Sequence, residues 1–132
     1  MNGKTAMFNA ISTDAGVLAL VSSIGTYPCI ASGALEPTTW GPDLSTVLVY
    51  RLNPVDYTID ALLADYTVNC RAKTEIKAEA LAQAVVAAIN RKEITGGGRF
   101  YCQWGFVVQP SDTTDNFNCP VEVRLKGELD LN

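Results

Sequence analysis

Histidine is missing from all 132 residues, which removes Ser–His and Cys–His nucleophile pairs and the commonest metal ligand together. The cysteines, Cys29, Cys70, Cys102 and Cys119, include no C-x-x-C pair, so neither a zinc motif nor a dithiol redox motif is spelled. Three of the four fall on apolar positions of predicted strands, where cysteine acts as a small hydrophobe. Reduced, buried thiols are the first reading and a disulfide the second. Charge is also scarce. Charged residues make up 18% of the chain, and 10 Lys plus Arg stand against 14 Asp plus Glu, for a net charge of -4. Affinity for phosphate accumulates from Lys and Arg, so this balance does not attract nucleic acid. Long apolar runs are lacking too. Asn2, Lys4, Asn9 and Asp14 break up the start, and Ala15–Val21 falls far short of the ~18 residues of a membrane span. The expectation is a protein made in the cytoplasm, soluble until it assembles, with no membrane partner.

The remaining chemical motifs fail one by one. Gly96-Gly97-Gly98-Arg99 lacks the Lys-Ser/Thr of a phosphate loop and runs from helix into strand, the reverse of the required order. Asp56, Asp60 and Asp65 lie close in sequence without the glycine and terminal glutamate of a Ca²⁺ loop, and read as a solvated loop edge. No carboxylate pair is set apart by its surroundings for acid–base work. The chain is not expected to be an enzyme, and no cofactor or metal is expected.

What the chain does hold is core: 48% of it is hydrophobic, enough for one domain spanning 1–132 and too little for two. Met7, Ala10, Ile11, Val17, Leu18 and Val21 have helical spacing over Thr5–Ser23, interrupted where Asp14 can cap a second short helix. Gly25 and Pro28 punctuate the chain, and a Pro-, Gly- and Thr-rich loop follows from Pro28 to Asp43. Thr46–Leu52 is β-branched and apolar. After a loop over Asn53–Leu62, Ala64, Tyr66, Val68, Cys70 and Ala72 alternate with polar residues as a strand with one wet face. Thr74 caps a helix over Glu75–Asn90, whose expected apolar stripe is Ile76, Ala80, Leu81, Ala84, Val85, Ala88 and Ile89. Phe100, Cys102, Trp104, Phe106 and Val108 then alternate. A polar hairpin loop over Pro110–Asn116 leads to a last strand with Val121, Val123, Leu125 and Leu129 inward. The order α-β-β-α-β-β predicts an α+β domain, a roughly four-stranded antiparallel sheet with helices packed on one face.

The loops and the wet sheet face supply the candidate interaction residues. Trp40 and Tyr57 are residue types that dominate interfaces, and both lie on loops long for a compact domain. For Trp40 two readings stand, a packed loop anchor and a contact to another subunit. Asp56 and Asp60 accompany Tyr57. Arg71, Arg124 and Lys126, mixed with Glu122 and Glu128, make a solvated or subunit-facing sheet surface; a nucleic-acid platform would want aromatics among the cations.

The order of these segments resembles the tail terminator, or tail completion (tail-to-head joining), proteins of long-tailed phages. The resemblance covers about Asp14 to Glu128. It is carried by Asp14-Ala-Gly-Val-Leu-Ala-Leu-Val21, by Ile24-Gly-Thr-Tyr27-Pro28 and by a Pro-containing loop into Val47-Leu-Val-Tyr50. Tyr57-Thr-Ile59 follows, and then an alternating strand feeding the Ala-rich Ala78-Glu-Ala-Leu-Ala-Gln-Ala84. A short loop before Trp104 departs from relatives, which often have a longer, more polar insertion there. The resemblance implies a structural virion protein at the tail–neck junction and no catalytic residues. It also implies a homo-oligomeric ring, usually a hexamer, that caps the tail tube and ends its polymerisation. Its partners would be the tail tube protein and the head–tail connector or neck proteins, with DNA passing through the lumen without specific binding. Two rivals stand beside it: another neck component, such as a head-side stopper or adaptor, and a small-molecule-binding α+β module.

Overall fold

Two long alternating segments organise the molecule, because each supplies one apolar and one polar face of a strand. In the computed structural model these are β6 and β10, the centre of a mixed sheet; residues 3–33, 35–51, 56–57, 61–94, 98–103, 108–110 and 116–128 are described, with the backbone alone for residues 51, 56–57, 61–63 and 128. The elements in chain order are α1 (Gly3–Ser12), α2 (Ala15–Leu18), β1 (Ser23–Ile24), β2 (Tyr27–Pro28), β3 (Ile30–Ser32), β4 (Thr46–Arg51), β5 (Asp56–Tyr57) and β6 (Ala61–Ala72). They continue with α3 (Glu75–Ile89), β7 (Glu93–Ile94), β8 (Gly98–Cys102), β9 (Gln109–Pro110) and β10 (Phe117–Glu128). The strand order is β3-β4-β6-β10-β8-β7, with β5 beside β6 and β9 beside β10. Among the described residues, strand β1 pairs only with β2, as a separate hairpin.

The architecture is α+β, as expected, but the sheet is larger than four strands and is not purely antiparallel. The loop expected over Pro28–Asp43 contains β3, which runs parallel to β4 with Ile30, Ala31 and Ser32 opposite Val47, Leu48 and Val49. Three residues are too few to display a period, so composition alone reads them as loop. The loop expected over Asn53–Leu62 likewise holds β5, and β6 starts at Ala61. Strand β8 ends at Cys102; the expected core residues Trp104, Phe106 and Leu129 lie outside the described residues.

The helices lie on one face. Met7, Ile11 and Val17 join Val47, Val49, Val68, Phe100, Val121 and Leu125 in one buried cluster. Asp14 caps α2, its carboxylate accepting from Val17 N at 3.0 Å. Helix α3 does not bury the expected stripe. Ala78, Leu81, Ala82, Val85, Val86 and Ile89 face inward, while Ile76 is 80% exposed and Ala80, Ala84 and Ala88 are half-buried. Almost every position from Ala78 to Ile89 is apolar apart from Glu79 and Gln83, so the period fits more than one face. The small side chains Ala78 and Ala82 decide the outcome by letting the helix approach the sheet.

Thr74 caps α3, accepting from Lys77 N at 3.3 Å. Replacing Thr74 by alanine removes that acceptor and is expected to cost about 1 kcal/mol, measured by urea unfolding.

Candidate functional site

The sheet face turned away from the helices is polar, and one loop covers part of it. After β3 the chain must return to start β4 in the same direction, and residues 35–45 make that return. Arg71 pins the loop: Nη1 donates to Glu36 Oε1 at 2.8 Å and Nη2 to the Gly41 carbonyl at 2.8 Å. Asn116 Nδ2 donates to the Pro42 carbonyl at 3.0 Å, and Lys73 pairs with Asp43 at 3.1 Å. Thr46 and Arg71, both on the polar face, are buried in consequence.

The sequence-derived residues separate into two groups. Arg71 and the loop residue Trp40 lie at one end, and Trp40 is half-buried, so part of its ring system is packed and part meets solvent. The Arg71 guanidinium is engaged within the chain, which gives it an intramolecular anchoring task. At the other end Arg124 makes a forked pair with Asp65, 2.9 Å from Nε and 3.4 Å from Nη2. This pairing raises the Arg124 pKa above its ordinary value, the hydrogen bond first and the charge second. Lys126 follows two residues on, exposed on the same face. Asp65 and Arg71 are six positions apart on β6, so the two ends are about 20 Å apart. Asp56 and Tyr57 pair through the backbone with Leu63 and Leu62, and Leu63 is also the register partner of Lys126, which puts β5 at the Arg124 end. Asp60 lies outside the described residues. Exposed polar and charged side chains with direct internal partners make this face a surface suited to contact.

The cysteines are free and buried. Cys70 and Cys119 are direct register partners on adjacent strands. Desolvation raises all four thiols above the ordinary 9.0, to about 12 for Cys102 and about 11 for Cys119. Between pH 9 and those values the folded chain holds protons that the unfolded chain has released. Stability is therefore expected to fall as pH rises through this range, and native thiols should resist alkylation at pH 8 until the chain unfolds. Stoichiometric native labelling would contradict the burial.

Sequence reasoning missed a third surface. Leu18, Leu20, Ile24 and Tyr27, around α2 and the β1–β2 hairpin, are large apolar residues left exposed. Its signal was readable: no Asp, Glu, Lys or Arg occurs from Ala15 to Leu35.

No protein-family model matches the sequence, and no curated protein is a match. Among solved structures, a chain from the virion of a native gene transfer agent (GTA) particle is similar, with a TM-score of 0.66 and 16% identity, over 96% of this chain and 94% of that one. At that identity the similarity establishes a shared fold, carried nearly from end to end.

Proposed function

We propose that this chain is a non-enzymatic structural subunit of a phage-like virion, forming a ring that caps the tail tube, ends its growth and offers the joining surface to the head. The observation that carries the reading is the fold shared over almost the whole chain with a subunit of an assembled virion. The order of segments that resembles tail terminators supports the finer placement. Physical arguments support it further. A ring around a DNA path must let phosphate slide, and a net charge of -4 repels rather than holds it. A tube end repeats one surface around its axis, so weak contacts from each subunit add by avidity once the ring is closed. The exposed pair Arg124–Asp65, with Lys126 and β5 beside it, gives such a contact surface that is polar and reversible.

Two observations test the placement. Negative-stain images of the concentrated protein should contain rings, expected as hexamers. Gold-labelled antibody to the chain should mark the head-proximal end of the tail in purified particles. Label along the tube or over the capsid would contradict the placement, and label on detached heads would favour the neck-component reading.

A further inference from the structure

Residues 35–45, which carry the chain from β3 back to β4, are fastened to the domain by polar contacts. None of these residues is buried, and none belongs to the buried hydrophobic cluster or to the apolar residues packed against it. The residues that hold the segment are the buried ones: Arg71 is 6% and Asn116 2% exposed. Arg71 donates to Glu36 and to the Gly41 carbonyl, Asn116 donates to the Pro42 carbonyl, and Lys73 pairs with Asp43. Two turns give the segment a shape of its own. Trp40 N donates to the Pro37 carbonyl at 3.1 Å and Leu44 N to the Gly41 carbonyl at 3.3 Å. Both ends are tied to the domain: Gly33 N donates to the Val49 carbonyl at 2.9 Å, and Ser45 N donates to Ser22 Oγ at 2.8 Å. Gly33 has φ 153, so one end turns on a backbone conformation that glycine adopts freely and other residues rarely do.

We propose that this segment is a strap that opens as a unit while the rest of the domain stays folded, with the Arg71–Glu36 pair as its latch. Buried apolar surface is what ties a segment's stability to that of the core, and this one buries little. It belongs to the low-stability end of the molecule. Opening is also helped by what it returns to water. Closed, the Arg71 side chain is 7% exposed and its Nε has no hydrogen-bond partner among the described residues. Open, every guanidinium donor is hydrated, which offsets part of the lost contacts. Glu36 is already 43% exposed and loses little by release. The open state presents the Arg71 guanidinium and the Asn116 amide on the polar sheet face, a cationic hydrogen-bonding site that the closed state hides. The strap is a property of the fold and stands whether or not the chain enters a virion.

Strand alternation supplies the test. Arg71, on the polar face, reports the strap, and its neighbour Cys70, on the core face, reports the core. The full chain is labelled with phenylglyoxal, which modifies guanidinium groups, or with iodoacetamide, across sub-denaturing urea, and each site is read by peptide mass spectrometry. Arg71 should gain label more slowly than the exposed Arg91 yet well before Cys70. Its rate should change little with urea, because strap opening exposes little surface, whereas Cys70 labelling should climb steeply. Glu36→Gln should raise the Arg71 rate about tenfold or more, the effect of losing one charged hydrogen bond. Glu79→Gln, an exposed position on α3, should leave that rate near wild type. Arg71 and Cys70 gaining label together, with one urea slope, would mean that the segment unfolds only with the core and would overturn the proposal. Arg71 labelled as fast as Arg91 would overturn it too, since no latch would then be closed. So would an Arg71 rate that Glu36→Gln leaves unchanged or that Glu79→Gln raises equally.

Discussion

Glu36→Ala should destabilise the protein by about 2–4 kcal/mol, more than Arg71→Met, although Glu36 is the more exposed partner. The side chain of Arg71 is 7% exposed and that of Glu36 43%. Removing Glu36 therefore strands a cation in a site with little water, with the Gly41 carbonyl as its remaining acceptor among the described residues. Arg71 Nε, buried without a hydrogen-bond partner among the described residues, offers it no compensation. Removing Arg71 instead leaves a carboxylate that water can solvate and one carbonyl without its donor, a cost of about 1–2 kcal/mol. Methionine would refill much of the volume. The Arg71→Met/Glu36→Ala pair should then be no less stable than Glu36→Ala alone, a coupling visible in a urea double-mutant cycle. Equal single-mutant losses that simply add would mean that the pair does not hold the loop.

Phe100→Ala should cost about 3–5 kcal/mol, the range for emptying a buried aromatic site. Phe100 is fully buried on β8, and both of its backbone groups are tied to the Arg91–Lys92 segment: N donates to the Lys92 carbonyl at 3.1 Å and its own carbonyl accepts from Arg91 N at 2.7 Å. The strand cannot collapse into the void without breaking those bonds. Phe100→Leu, which keeps most of the volume, should cost about 1–1.5 kcal/mol. A loss below about 1 kcal/mol for the alanine variant in equilibrium unfolding would show that the site relaxes freely.

These two sites also mark where sequence and structure agree and part. Phe100 was legible because alternation over 98–102 has the same meaning in the chain as in the sheet. The same holds for β6 and β10, and for α3 with its Thr74 cap. Arg71 was not legible. Alternation puts it correctly on the polar face, but the loop that buries it crosses from β3 to β4, a parallel pairing encoded by three residues. Ile76 was misplaced because an alanine-rich helix is apolar over more than one face, and the choice between faces is made by close packing. The hairpin at Ile24 and Tyr27 was reached only as punctuation. Its content, a run without charge and with large apolar side chains partly outward, becomes visible once burial shows how far the fold leaves those side chains exposed. Function followed the same pattern. Composition carried only an expectation about chemistry, whereas an exposed apolar surface depends on which residues the fold leaves uncovered.

Tail length in particles assembled without this chain tests the central claim most directly. A terminator ends polymerisation, so its omission should leave filled heads unjoined and tubes of irregular or excessive length, and supplying the wild-type chain should restore one length. Tails of normal length, properly finished and joined to heads in its absence, would contradict the account. Normal tails beside heads that leak DNA would place the chain on the head side of the neck instead.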